Sequence, residues 1–221
     1  MQETLAATET PTGPGNETPD TKGPVSAPSA PSASLPAYWD QVWTKRENLF
    51  REKQLWIARK MVTYRWWLDK ASKMEIGCGT GFIPTAMAWV DPRKYMGVDV
   101  SAVACRIANG NGVNAVVADA CRIHEFGRRF GAYLILDALE HIEDRDALAR
   151  AIRSTRFRES RLFLNLPMYR SEHAEPFEWN VGEKEADEFM GKCGWDNAQI
   201  EDYMAGGWPY RFIVANTKEA A

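Results

Sequence analysis

Four short apolar runs in the middle of this chain end alike: KMEIG, YMGVDV, NAVVAD and YLILDAL all close on or next to glycine or aspartate. Helical patterns follow the first, second and fourth: GFIPTAMAWV, AVACRIANGNG and DALARAIRSTR. Strands separated by helices can lie side by side only through crossovers, which predicts a parallel sheet with helices on both faces. YLILDAL is apolar almost throughout, as a strand covered on both faces must be. RLFLNLP reads as a fifth strand, and EKEADEFMGKCGW as a helix closed by Gly194. The late strands QIEDYMAG and RFIVANT have no helix between them. The pattern predicts a doubly wound α/β sheet of seven strands, mostly parallel, with one antiparallel strand near the C-terminus.

Residues 1–36 are rich in Pro, Ser, Thr and Ala and contain no aromatic residue. Such a segment cannot bury enough apolar surface to offset its ordering entropy, so it is expected to be a disordered tail. Glu3, Glu9, Glu17, Asp20 and Lys22 give it a net charge of −3, the same as the whole chain. The remainder is therefore near neutral, which does not indicate a nucleic-acid partner. Residues 37–72 read as an N-terminal helical cap of one or two helices, and residues 73–221 as the α/β domain. The first residues have neither a basic start nor an apolar stretch, and no apolar run reaches the roughly 20 residues of a membrane span. Cys78, Cys105, Cys121 and Cys193 form no CxxC pair, so neither a zinc site nor a disulfide framework is expected. A reduced, cytoplasmic protein is the expectation.

The glycines of EIGCGTG sit where a first strand meets a first helix. There they let backbone approach a ligand and expose N–H groups at a helix N-terminus. Asp99 ends the second strand, 22 residues after Gly77, a spacing that suits hydrogen bonds to a ribose diol. Asp119 ends the third strand and Asp137 the fourth, placing the acids on one edge of the sheet. Any one of them could instead be a helix cap.

EIGCGTG, Asp99, VADA and LDALEHIED resemble the motifs of class I S-adenosylmethionine-dependent methyltransferases. The chain is most similar to the small-molecule branch that includes the ubiquinone-biosynthesis O-methyltransferases. The resemblance runs from about Lys73 to Thr217 and implies a Rossmann-like fold. A dinucleotide is the alternative ligand, but its GxGxxG spacing is absent. The resemblance implies that Glu75, Gly77, Cys78, Gly79 and Gly81 lie along the methionine part of S-adenosyl-L-methionine. It places Asp99 and Val100 at the ribose and the adenine's flank, Asp119 and Ala120 at the adenine, and Asp137 and Ala138 near the reactive methyl. S-adenosyl-L-homocysteine would be the product, and an O or N nucleophile of a small molecule the acceptor. The other readings are a nucleotide, nucleic-acid or protein acceptor, and a non-catalytic cofactor-binding relative.

His141 is the candidate base, with packing or capping of the next helix as the structural alternative. His173 is its rival. Asp137, Glu140 and His141 form D-x-x-E-H, which resembles a divalent-cation stretch of some relatives, with Asp in place of its first Glu. No metal is the main expectation. Tyr169, Arg170, His173, Phe177, Glu178 and Trp179 lie in the long connection after the fifth strand and could line an acceptor pocket. Trp208 and Tyr210, between the last strands, would form a second wall. Trp39, with Tyr38 and Trp43, would form a third wall or lid.

Overall fold

The computed structural model describes residues 34–45, 51–87, 90–168 and 181–217. Strands β1 (Lys73–Ile76) and β4 (Phe130–Leu136) are buried at every position. Strands so fully covered belong in the middle of a sheet. Their neighbours are β2 (Tyr95–Asp99), β3 (Ala115–Val117), β5 (Arg156–Pro167), β6 (Trp195–Ala205) and β7 (Trp208–Thr217). The seven strands run in the order β3-β2-β1-β4-β5-β7-β6. The pairs among β1 to β5 are parallel, and β7 is antiparallel to both β5 and β6. The expected sheet, with one antiparallel strand, is the one that forms.

Three boundaries differ from the sequence reading. β5 begins five residues early, at Arg156. Its register shifts between the Phe130–Arg156 and Ala132–Arg161 pairs, so a bulge absorbs the extra residues. β6 begins at Trp195 and β7 at Trp208, joined by Gly206 and Gly207 with φ of +57° and +83°. Two left-handed residues make the tight hairpin turn that matches strand twist. Trp208 and Tyr210 are thus strand residues on β7, not parts of a loop between strands.

The N-terminal region forms three helices rather than one or two: α1 (Leu35–Lys45), α2 (Arg51–Val62) and α3 (Arg65–Leu68). They are followed by α4 (Phe82–Ala86), α5 (Ala102–Gly110), α6 (Arg145–Thr155) and α7 (Glu183–Cys193). Strand alternation sends Met74, Ile76, Tyr133 and Ile135 to one face, where they pack with Leu148 and Ile152 of α6 and Phe189 and Met190 of α7. Leu134 and Phe163 point to the other face. They join Ile57 and Met61 of α2, Leu68 of α3, Ile83 of α4 and Ala108 of α5. The fully buried Lys73 donates to the carbonyls of Leu68 and Ala71 at 2.6 and 2.7 Å, tying the end of α3 to β1.

No residue of α1 is buried. Polar contacts place it instead. Asp40 Oδ1 accepts from the Ser101 hydroxyl at 2.5 Å and from the Val103 N–H at 3.0 Å. Ser101 caps α5 itself by accepting from Ala104 N–H at 3.1 Å. The orphan donors of the first turn of α5 are thus shared between its own cap and a carboxylate from α1.

Candidate active site

β1 runs into the glycine loop, whose N–H groups at Gly77 and Cys78 both donate to Val98 O, at 2.9 and 3.1 Å. The loop is thereby laid across the end of β2. Gly77 has φ +69° and Gly79 φ +52°. A Cβ at Gly77 would come within 2.5 Å of Ala138 Cβ, and one at Gly79 within 2.8 Å of the Trp43 indole. Left-handed backbone and close approach both demand glycine there.

Asp99, at the end of β2, holds the loop from below. Its Oδ2 accepts from Gly79 N–H and its Oδ1 from Ser101 N–H, each at 2.9 Å. Burial raises its pKa, and the two N–H groups oppose that shift. A carboxylate offers about four acceptor positions, more than these two bonds use.

A cleft of about 490 Å³ opens above these strand ends. Gly77 reaches it from the loop, and Asp99 and Val100 from β2. Asp119 and Ala120 follow β3, and Asp137, Ala138 and His141 follow β4. Leu35, Trp39 and Trp43 of α1 form its roof. The acids that end separate strands in the sequence therefore meet at one cleft. Asp119 is also a cap: its Oδ1 accepts from Cys121 N–H at 2.8 Å. Glu75, Cys78, Gly79 and Gly81 support the cleft without lining it. Glu75 is buried beneath the loop and accepts from the Tyr95 hydroxyl. Burial pushes its pKa up to about 8, against the Tyr95 hydrogen bond and with the help of the Asp99 charge. The Cys78 thiol is pushed well up by its hydrogen bond with Cys105 and by burial, so it is no nucleophile.

His141 lines the cleft edge-on to Trp39, with ring centroids 4.7 Å apart. Its Nε2 lies 4.0 Å from Glu140 Oε1. The cap of α6 is Asp144, which accepts from Ala147 N–H at 2.8 Å, so His141 does not cap that helix.

Asp137 is the one non-glycine residue of positive φ among the described residues, at +56°. Such a backbone is held by its surroundings. Here Asn165 Nδ2 donates to Oδ1 at 2.7 Å, and the Lys53 ammonium lies 2.7 Å from Oδ2. Lys53 comes from α2 and also sits 4.7 Å above the ring of Tyr210. Tyr203 donates to Asn165 Oδ1 at 2.9 Å and stacks near Tyr210. Among the described residues no group of three side chains is placed to hold a metal ion, so Asp137, Glu140 and His141 do not form the D-x-x-E-H metal site.

Of the expected acceptor walls, Trp39 faces the cleft, while Tyr210 is buried against Lys53 and Trp208 is 54% exposed. Tyr169, Arg170, His173, Phe177, Glu178 and Trp179 lie outside the described residues. Sequence reasoning missed Asp40, Trp43 as the cover of Gly79, Lys53 and Tyr203. Lys53 gave no signal among the eight basic residues between Tyr38 and Lys70. Asn165 could have been found as a lone polar residue at the end of an apolar strand.

Residues 74–156 match the family model described as a methyltransferase domain. Solved structures share its fold at low sequence identity. One is the Burkholderia thailandensis 1,6-didemethyltoxoflavin-N1-methyltransferase with bound 1,6-didemethyltoxoflavin and S-adenosylhomocysteine. It has a TM-score of 0.67 and 15% identity, over 92% of this chain and 99% of that one. Another is the Synechocystis magnesium protoporphyrin IX methyltransferase with bound SAM, with a TM-score of 0.62 and 16% identity over 83% and 95%. A third is a SAM-dependent methyltransferase from Archaeoglobus fulgidus, with a TM-score of 0.62 and 15% identity over 76% and 98%. No curated protein sequence matches the chain. No described helix is long and apolar enough to cross a membrane.

Proposed function

We propose that this methyltransferase domain moves a methyl group from S-adenosyl-L-methionine to an oxygen or nitrogen nucleophile of a small molecule. The observation that carries the reading is the cleft itself. A glycine cradle that no Cβ could enter faces strand-end acids across a volume suited to a nucleoside-sized ligand. Asp99 keeps acceptor positions for a ribose diol, and Asp119 and Ala120 lie where an adenine amino group would be met. The bound cofactor supplies an electrophilic methyl on a sulfonium, which leaves the protein to align the reactants. Asp137 is fixed by Asn165 and Lys53, so the strand-end backbone beside Ala138 holds its place against the glycine loop. His141, on the cleft wall, takes the proton from an acceptor that carries one. Trp39 and Trp43 exclude water from above.

The near-neutral charge of residues 37–221 supports a small acceptor over a polyanion. Methyl-labelled cofactor incubated with the protein and a fractionated extract tests this. The reading expects label in the small-molecule fraction. Label in protein or nucleic acid would overturn it, and cofactor binding without transfer to any fraction would favour a non-catalytic cofactor binder.

A further inference from the structure

The amino ends of β5 and β6 lie on the edge of the sheet opposite the cleft. Arg156 and Asn165 of β5 pair with Phe130 and Leu136 of β4, six residues apart, which is roughly 20 Å at ~3.3 Å per residue. At that far edge is a second cavity of about 580 Å³. Arg153 of α6, Arg156 and Arg158 of β5, Gly194 between α7 and β6, and Thr217 of β7 contribute to its wall.

Arg156 forms part of the frame. Its Nε donates to Cys193 O at 2.9 Å, and its Nη1 to Phe157 O and Arg158 O at 3.3 and 3.4 Å. A Cβ at Gly194 would come within 2.5 Å of Arg156 Nη2, so glycine at the end of α7 makes room for the guanidinium. Burial and the charge of Arg153 lower the pKa of Arg156. The guanidinium groups of Arg153 and Arg158 form no hydrogen bond or ion pair among the described residues. Each brings five N–H donors to the same cavity.

The carbonyl ends of α6 and α7 meet here and favour nearby cations. That accounts for Arg153, in the last turn of α6, and for Arg156 at the end of α7. It does not account for Arg158, which belongs to neither helix. Asp196 is the one carboxylate on the wall, against three guanidinium groups.

We propose that this cavity binds a small phosphate-bearing anion, gripped by Arg153 and Arg158 above a floor fixed by Arg156. Guanidinium forks match phosphate oxygens in pairs, which favours this anion over a point-charge partner. The volume lies within the range of small-molecule sites. The site is separate from the methyl-transfer cleft and does not depend on it.

Calorimetric titration of inorganic pyrophosphate into the full chain, at about 150 mM salt, tests the proposal. Arg158→Gln and Arg153→Gln change exposed side chains, and unchanged thermal midpoints would show that both variants fold. The expected result is binding near or below about 1 mM with one site per chain, weakened at least about tenfold by Arg158→Gln. Arg153→Gln should weaken it about threefold or more. Three results would overturn the proposal: no heat up to about 10 mM pyrophosphate, unchanged affinity in both variants, or equal binding of sulfate.

Discussion

Glu75 shows how a single buried residue ties the glycine loop to pH. Its carboxyl lies beneath the loop, is hydrogen-bonded by Tyr95, and has a pKa of about 8 against an ordinary 4.5. A folded-state pKa above the unfolded one gives stability that is complete below about 4.5 and lost as pH rises toward 8. Stability should therefore fall across that window by up to about 1.4 kcal/mol per pH unit. Glu75→Gln keeps a partner for Tyr95 and removes the titration, so its denaturation profile should be flatter there. Parallel profiles would contradict the assignment. Lys53 and Asp137 make a second residue-scale case. Their side chains are 10% and 18% exposed, so removing one partner leaves a mostly buried charge. Lys53→Met should cost on the order of 3 kcal/mol in denaturant unfolding, and adding Asp137→Asn should restore part of it. Asp99, Asp119 and Asp137 were legible in the sequence because each ends an apolar strand. Lys53 was not, because a lysine on an amphipathic helix reads as a solvated face until the tertiary partner is seen.

Elements α1 and α5 meet through one carboxylate. Asp40 supplies an acceptor to the second N–H of α5 and to the Ser101 hydroxyl, and the Ser101 bond holds its pKa below the usual carboxylate value. This docking contribution is present above the ordinary carboxylate pKa near 3.8 and is lost as pH falls through the lower folded value. Loss of a helix-terminal acceptor costs about 1 kcal/mol. Asp40→Ala should release α1 from the cleft and weaken S-adenosylhomocysteine binding about fivefold in calorimetry. Unchanged affinity would mean that α1 does not cover the ligand. Elements were legible wherever a pattern was sustained: α6 and α7 lie where their helical spacing and the glycine stop of α7 put them. The starts of β5, β6 and β7 were not legible. RFRES carries no apolar alternation and becomes strand only through pairing beside β4, and Gly206, read as the end of the strand QIEDYMAG, belongs with Gly207 to a two-residue turn.

At the scale of the whole molecule, chain direction sorts the chemistry. Parallel strands bring their carboxyl ends to one edge, where the glycine loop, Asp99, Asp119 and Asp137 surround the cleft. Their amino ends bring arginines to the other. The sheet was legible as a whole because alternating strands and helices admit few topologies. Most of the candidate acceptor residues come from the connection after β5, whose pattern is polar and irregular and which lies outside the described residues. In the proposed function the cleft holds the adenosyl cofactor with Asp99 at its ribose. Calorimetric titration of S-adenosylhomocysteine into the wild-type protein and Asp99→Ala tests it most directly. Micromolar binding to wild type, weakened at least about tenfold in the variant, is the predicted result. A folded wild-type protein that takes up no S-adenosylhomocysteine, or a variant that binds it equally well, would contradict the account.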